Sequence, residues 1–376
     1  RIMIAPGKAT SLCLVLLLWS LGYWAAAQSS QAPKPTIDGI VSRALAAGGK
    51  SLNAPVSDEA YISRVYLDLL GTRPTVAEQD AFLADPSPER RAKLVEGLFL
   101  RPEFADYLSL KWGDILRVKS EYPSNLWPNA VQAYHQWIRE AMRTNLGYDK
   151  FARALITGSG SDFRDPESNF FRVLPSRDPA SFARHVSQTF LGLGLDYLDA
   201  GTATELGRFF SRLAFKRSME WKEEIVYTDP LAPGSAAGPA SASTSVSYRF
   251  PDGSRIEASP GADPRIVIAD WLCSPANPWF ARAMANRIWS WLLGTGIREP
   301  VDEARLGGPE ASPELLDFLA KALVDSGWDL RALYRLVLAS QTYAQESRGD
   351  AEPSYARYRI RRLDADPGLS FAGQVG

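Results

Sequence analysis

The stretch Ser57-Asp-Glu-Ala-Tyr-Ile-Ser-Arg-Val-Tyr-Leu-Asp-Leu-Leu-Gly71 contains the pattern that decides the fold. Its apolar side chains recur three or four residues apart, which places them on one face of a helix. These side chains are Ile62, Val65, Tyr66 and Leu69. Gly71 stands where a helix is expected to end, and Thr75 with Glu78 has the spacing of a capping box. The pattern therefore predicts a helix over 57–70 and a second helix soon after it.

The same signals recur along the chain, most often as a capping residue followed by proline. The capping oxygen satisfies free N–H groups, and the fixed φ of proline suits the first helical position. These pairs are Ser87-Pro88, Asp178-Pro179, Asp263-Pro264, Asn277-Pro278 and Ser312-Pro313. Thr202 with Glu205 has the spacing of a second capping box. The clearest predicted helices are 57–70, 88–100, 103–118, 129–144, 179–191, 203–215, 278–293, 313–326 and 330–343.

The helical pattern breaks between about 222 and 262. Residues 229–244 are almost entirely Pro, Gly, Ala and Ser, as in a flexible connection. Apolar and polar residues then alternate over 246–250, turn at 251–254 and return, which predicts a β-hairpin. The fold class is therefore mainly α, with two helical domains joined by a Pro/Gly/Ser/Ala-rich linker with a small β-hairpin. The predicted segments are an N-terminal helical domain at 37–222, the linker at 223–262 and a C-terminal helical domain at 263–345.

Residues 1–27 have the order of a secretory signal peptide. Arg1 and Lys8 are followed by the apolar run 12–18 and then by Ala25-Ala-Ala27, a small-residue cleavage pattern. A membrane span needs roughly 20 apolar residues, so cleavage is favoured over retention of the leader as an anchor. We expect an exported protein that is periplasmic, on the cell surface or extracellular, with no stable membrane span after cleavage.

The two ends of the sequence carry further expectations. Residues 28–36 are expected to form a flexible lead-in and 346–376 a tail, which contains a basic run at Arg357, Arg359, Arg361 and Arg362. Because the chain opens with Arg rather than Met, we expect its true start to lie further upstream. We also expect the chain to be truncated at this tail.

Charge and cysteine content exclude several classes of function. Without Arg1 and Lys8, the 42 basic residues fall to 40 against 43 acidic ones, so no basic excess is left for nucleic acid. The two cysteines are Cys13, within the leader, and Cys273. One remaining thiol forms neither an internal disulfide nor a Cys-x-x-Cys-His haem attachment. We therefore expect no cofactor.

Several blocks of this sequence resemble a known family. The N-terminal blocks are Ser63-Arg-Val-Tyr-Leu-Asp-Leu-Leu-Gly-Thr-Arg-Pro-Thr75 and Phe82-Leu-Ala-Asp-Pro-Ser-Pro88. They resemble the planctomycete cytochrome-associated family, domain of unknown function 1549. The C-terminal blocks are Asn277-Pro-Trp-Phe-Ala-Arg-Ala-Met-Ala-Asn-Arg-Ile-Trp289, Gly296-Ile-Arg-Glu-Pro-Val-Asp302 and Ser340-Gln-Thr-Tyr343. They resemble its usual companion, domain of unknown function 1553.

The resemblance implies an association with c-type cytochromes, but it supplies no catalytic residues. Many members carry Cys-x-x-Cys-His where this chain has Leu195-Asp-Tyr-Leu-Asp-Ala-Gly201. The following Glu220-Trp-Lys-Glu-Glu-Ile-Val-Tyr227 resembles a sub-branch that lacks the haem motif. We therefore expect this chain to hold no haem of its own.

Candidate site residues are few. His135 and His185 each stand alone on a predicted helix, which favours packing over metal binding. The loop residues Asp162, Asp165 and Glu167 could bind calcium or supply a general acid and base, although ion pairing with Arg164 and Arg172 is the simpler interpretation. Trp127 lies in a loop, where an exposed ring could hold a sugar or a partner protein.

Two functions remain open from the sequence. The first is an exported binding or accessory protein that docks a partner, such as a cytochrome or an envelope component. The second is an extracytoplasmic hydrolase, acting on polysaccharide through Asp162, Asp165 and Glu167 with Trp127. Whether the chain is an enzyme stays open, but the lack of a complete catalytic constellation favours the first.

Overall fold

The computed structural model describes residues 35–121, 126–232, 245–259, 261–347, 355 and 358–359. The predicted signal peptide at 1–27, most of the lead-in, the centre of the flexible connection at 229–244 and most of the tail lie outside the described residues. The described residues from Ile37 onward form one compact unit. None of the helices in the described ranges has the length and hydrophobicity that a membrane span requires.

The described chain is mainly α-helical, as predicted. The helices are α1 Ile37–Ala47, α2 Asp58–Leu70, α3 Val76–Ala84, α4 Arg90–Phe99, α5 Pro102–Ile115, α6 Pro128–Arg143, α7 Tyr148–Thr157, α8 Asn169–Arg172, α9 Pro179–Val186, α10 Ala200–Arg208, α11 Pro264–Leu272, α12 Phe280–Leu293, α13 Pro313–Asp325 and α14 Leu330–Leu338. A π-helical turn, Ser187–Leu191, extends α9. The strands are β1 Gly160–Ser161, β2 Leu213–Arg217, β3 Glu224–Thr228, β4 Val246–Arg249 and β5 Arg255–Ala258.

Most of the predicted helix starts are confirmed. The Thr75–Glu78 capping box is complete in both directions. Asp178, Asp263 and Ser312 each cap the helix that follows, with proline at the start of that helix.

Two of the predicted capping residues do not lie directly before a helix. At Ser87 and Asn277 the helices begin three residues after the capping residue, at Arg90 and Phe280. The Asn277 side-chain oxygen still accepts bonds from the Trp279 and Phe280 N–H groups, at 2.9 Å each. The cap is therefore present, one turn ahead of the helix.

The prediction of a helix over 203–215 is wrong at both ends. Asp199 caps α10 by accepting from the Thr202 N–H at 3.0 Å, so Thr202 is not the capping residue. The helix ends at Arg208, and the chain then enters β2. All five residues of β2 pair with β3, and this pairing with the next strand overrides the local helical pattern.

Two small antiparallel sheets interrupt the helices. The first has the strand order β1-β3-β2. The second is the β4–β5 hairpin, which confirms the hairpin predicted from the alternation at 246–250. The β2–β3 turn, residues 218–223, lies at one end of the first sheet.

Helices from both predicted helical segments share one buried core. Trp112 of α5 is fully buried and packs edge-on against Phe151 of α7 and Trp291 of α12, with ring centroids 5.0 and 6.2 Å apart. Arg265 at the start of α11 donates to the Gly158 carbonyl at 2.8 Å and the Ser159 hydroxyl at 2.7 Å. Because helices from both sides of the predicted linker pack together, the packing does not mark a domain boundary. The boundaries at 222/223 and 262/263 therefore stay predictions.

Candidate functional site

A cleft of about 580 Å³ opens between the start of α6 and the β2–β3 turn. Trp127, immediately before the first residue of α6, forms one wall, and Trp221 of the turn forms another. Trp127 is 42% exposed, Trp221 is 79% exposed, and the neighbouring Met219 is fully exposed. Large apolar side chains presented together on a surface mark interaction sites more often than packing accidents.

Lys222 joins the two tryptophan walls. Its Nζ lies 4.4 Å from the ring centroid of Trp127 and 3.9 Å from that of Trp221, within the range of cation–π attraction. The backbone of Lys222 is left-handed, with φ of 60°, a conformation that costs a residue with a side chain roughly 1–2 kcal/mol. The Lys222 ammonium group is therefore close to both rings, at the end of a side chain that starts from a left-handed turn residue.

Ion pairs fix the floor of the cleft. Glu224 of β3 accepts from Arg172 Nε at 2.9 Å and from both terminal nitrogens of Arg177 at 2.8 and 3.0 Å. Burial by itself would raise the pKa of Glu224, but the hydrogen bonds from Arg177 and Arg172 outweigh it and the pKa is lowered. Glu224 is therefore a charged structural anchor, since a general acid needs the opposite shift.

Asp162 lies behind this floor and does not line the cleft. Its side chain is fully buried, and its Oδ2 lies 3.2 Å from Arg172 Nη1. Burial raises the pKa of Asp162, and the charge of Arg172 opposes that rise. Asp162 therefore meets the predicted ion-pair partner Arg172, whereas Arg164 pairs with Glu220 of the β2–β3 turn.

Asp165 and Glu167 point elsewhere. Asp165 is exposed, and its Oδ2 accepts from the Ser161 N–H at 2.9 Å. This carboxylate closes over Gly160, whose φ is +112° and where any side chain would collide with it. Glu167 is half-buried beside Gly158. Within the described ranges, no three His, Cys, Asp or Glu side chains are grouped to hold a metal, so the geometry offers no support for calcium at this loop.

The histidines and the cysteine lie in packed surroundings. His185 is buried and stacks on Phe170, with ring centroids 4.4 Å apart, and burial lowers its pKa to about 3. His135 Nε2 lies 3.3 Å from the Ser109 hydroxyl. Burial raises the pKa of Cys273 to about 12, far from that of a nucleophile.

The sequence pointed to Trp127 but not to the residues that complete its cleft. Trp221, Lys222 and Glu223 stood out only as part of a family-like block, because nothing local shows that they face Trp127. The available signal was the run of charged and aromatic residues just before the β-branched Ile225-Val226, a pattern that fits a turn entering a strand.

The fold and the cleft define a mainly helical protein with a surface aromatic cleft and no complete catalytic constellation among its described residues. Its family follows from two matches. Residues 36–196 match the model described as PSCyt2, protein of unknown function (DUF1549), and residues 264–367 match PSD1, protein of unknown function (DUF1553). The chain therefore belongs to the DUF1549 family over its N-terminal part and to the DUF1553 family over its C-terminal part. No curated protein and no solved structure matches the chain.

Proposed function

We propose that this is an exported binding or accessory protein that docks a partner in the Trp127–Trp221 cleft. The observation that carries the proposal is the pair of exposed tryptophan rings that share the Lys222 ammonium group. Tryptophan is enriched at the residues that dominate binding energy, because one ring supplies a large rigid contact area. The partner class is a cytochrome or another component of the cell envelope, in keeping with the leader and the family.

The rigidity of the cleft supports binding. β3 lies between β1 and β2, and Glu224 is held by two arginines, so the turn is anchored on both strands. A surface that is already ordered loses less entropy when a partner arrives. Arg217, which also lines the cleft, has no ion-pair partner among the described residues and is available to an acidic group on the partner.

Hydrolysis of a polysaccharide is the second candidate, and one observation favours it. Glu223 lines the same cleft as Trp127, and its buried Oε1 has no hydrogen-bond partner in the described part of the chain, with Arg164 Nε 3.8 Å away. The hydrogen bond from Ser218 lowers the pKa of Glu223, which suits a base or nucleophile rather than a general acid. The carboxylates first suggested for this chemistry, Asp162, Asp165 and Glu167, are not among the residues that line the cleft. Binding is therefore the better supported function. If the wild-type chain released sugar from envelope polysaccharide and Glu223→Gln did not, hydrolysis would become the better supported function.

Affinity capture from the native envelope tests the docking proposal. The wild-type chain should retain a partner that Trp127→Ala/Trp221→Ala loses by tenfold or more. The matched control is Val76→Ala/Leu100→Ala, since these side chains are 77% and 81% exposed and lie outside the cleft. Equal retention by both double variants would reject the cleft as the docking surface. Terminal sequencing of the native protein tests cleavage after Ala27.

A further inference from the structure

A second cavity, of about 610 Å³, is lined by residues of the segment that matches DUF1553. Its walls come from residues 275–282 at the start of α12, from 307–310 and from one face of α13. Trp279 gives it an apolar side, and Arg282 and Arg298 are the two arginines among its lining residues. None of its lining residues is shared with the Trp127–Trp221 cleft.

Arg298 is held in place by its backbone. Asn286 of α12 accepts from the Arg298 N–H at 3.0 Å and donates to the Arg298 carbonyl at 2.8 Å. A β-bridge pairs Arg298 with Glu310 across the loop. These contacts fix the backbone of Arg298, and therefore the place of this residue in the wall of the cavity.

The guanidinium group of Arg298 is buried without a counter-charge. Arg298 is only 5% exposed. Its Nη2 donates to the Leu191 and Gly192 carbonyl oxygens, both at a long 3.3 Å, and Nε is buried with no hydrogen-bond partner in the described part of the chain. No described carboxylate forms an ion pair with it. Removing a charge from water without a partner is costly, so such groups are normally paired.

The neighbouring charges are distributed unevenly. Arg282 takes two of the three carboxylates that line the cavity, with Nη2 at 2.6 Å from Glu310 Oε2 and Nη1 bonded to Asp317. The third carboxylate, Asp325, pairs with Lys321. One guanidinium therefore has two acidic partners and the other has none. Burial lowers the pKa of Arg298, and Glu310 only partly opposes this effect. An anion in the cavity would supply what Arg298 lacks.

We propose that this cavity binds a small molecule through an anionic group, a carboxylate or a phosphate- or sulfate-type oxyanion, that pairs with Arg298. Arginine presents a planar set of donors that suits either kind of oxyanion. The volume falls in the range of small-molecule sites, which exceeds what a single ion fills. Trp279 would then contact the apolar part of the ligand. The inference is independent of the function proposed for the cleft.

Thermal unfolding in sodium acetate, phosphate or sulfate tests the proposal, with ionic strength held constant by chloride. A bound anion raises Tm in a saturable manner, whereas salts excluded from the protein surface raise it without saturation. We expect a saturable rise in wild type that Arg298→Met loses. Arg305→Met should keep it, because Arg305 is exposed in the same loop and outside the cavity lining. The acetate arm reports a carboxylate site, and the other two arms report a tetrahedral oxyanion site.

Glu310→Gln provides an independent check should Arg298→Met fail to fold. Removing this carboxylate, whose charge acts on Arg298 and also pairs with Arg282, makes the potential in the cavity more positive, so the anion should bind severalfold more tightly. A wild-type response that never saturates with any of the three anions would overturn the proposal. So would a saturable response that is unchanged in Arg298→Met, or an affinity that Glu310→Gln leaves unchanged or weakens.

Discussion

Replacing Arg172 by methionine tests the ion-pair floor of the cleft. Arg172 is 6% exposed, and it contacts Glu224 Oε2 at 2.9 Å, Asn169 Oδ1 at 2.6 Å and Asp162 Oδ2 at 3.2 Å. Methionine keeps most of the volume and removes the charge. Glu224 retains Arg177, but Asp162 loses its counter-charge while fully buried. Breaking a buried pair from one side costs about 3–5 kcal/mol.

This cost converts to a measurable change in Tm. A unit of about 340 residues unfolds with an entropy of about 0.7 kcal/mol/K. A loss of about 3–5 kcal/mol therefore lowers Tm by roughly 4–7 °C at pH 7. Differential scanning calorimetry of wild type and Arg172→Met, side by side, measures the difference.

The pH dependence of the loss identifies its cause. Burial raises the pKa of Asp162 in the folded protein above its value in the unfolded chain, and losing Arg172 raises it further. A raised carboxyl pKa means that the folded state binds the extra proton. The contribution of Asp162 to stability is then greatest below its unfolded pKa of about 4, and it is lost as the pH rises through the pKa of the folded state. The deficit of Arg172→Met should shrink toward pH 4.

Two controls complete the experiment. Arg177→Met also removes a partner of Glu224, but the Arg177 side chain is 44% exposed, so its loss should cost less than about 1 kcal/mol. Asp162→Asn/Arg172→Met should recover part of the loss, since no buried charge remains. A deficit equal to that of Arg177→Met, or one that grows as pH falls, would refute the reasoning.

Three further predictions concern the packed body. Asn286→Ala leaves two N–H groups and one carbonyl of the following loop without partners, so it should cost about 3 kcal/mol or more in urea unfolding. Thr75→Ala should cost about 1 kcal/mol by the same assay, whereas Thr202→Ala should cost under about 0.5 kcal/mol because Asp199 is the cap there. Cys273, with its pKa raised to about 12, should resist iodoacetamide at pH 8 and react once urea unfolds the chain, as peptide mass spectrometry would show.

The helices were predictable because their signals are local. A capping residue, a proline and an apolar face occupy one short stretch, and at Asp178, Asp263 and Ser312 that stretch alone is enough. The strand Leu213–Arg217 was missed because its partner begins seven residues later, beyond a turn. The residues within 203–215 do not by themselves show whether the helix continues or a strand begins, because the partner strand lies outside this stretch.

The candidate site was only partly predictable, for a related reason. Trp127 stood out as a tryptophan in a loop, and Arg172 as an ion-pair partner for the acidic loop. The approach of Trp221 to Trp127 depends on where the β2–β3 turn lies relative to the start of α6, which no local pattern reports. The uncompensated charge of Arg298 was likewise hidden, since a sequence shows an arginine but not what surrounds it.

Site-specific photo-crosslinking in living cells tests the docking surface most directly. A photoreactive residue at position 221 should form a discrete adduct with one envelope partner, and Trp127→Ala should weaken that adduct. The same residue at position 100, which is as exposed as position 221, should form no such adduct. A matching adduct from position 100, or no adduct from position 221, would contradict the account.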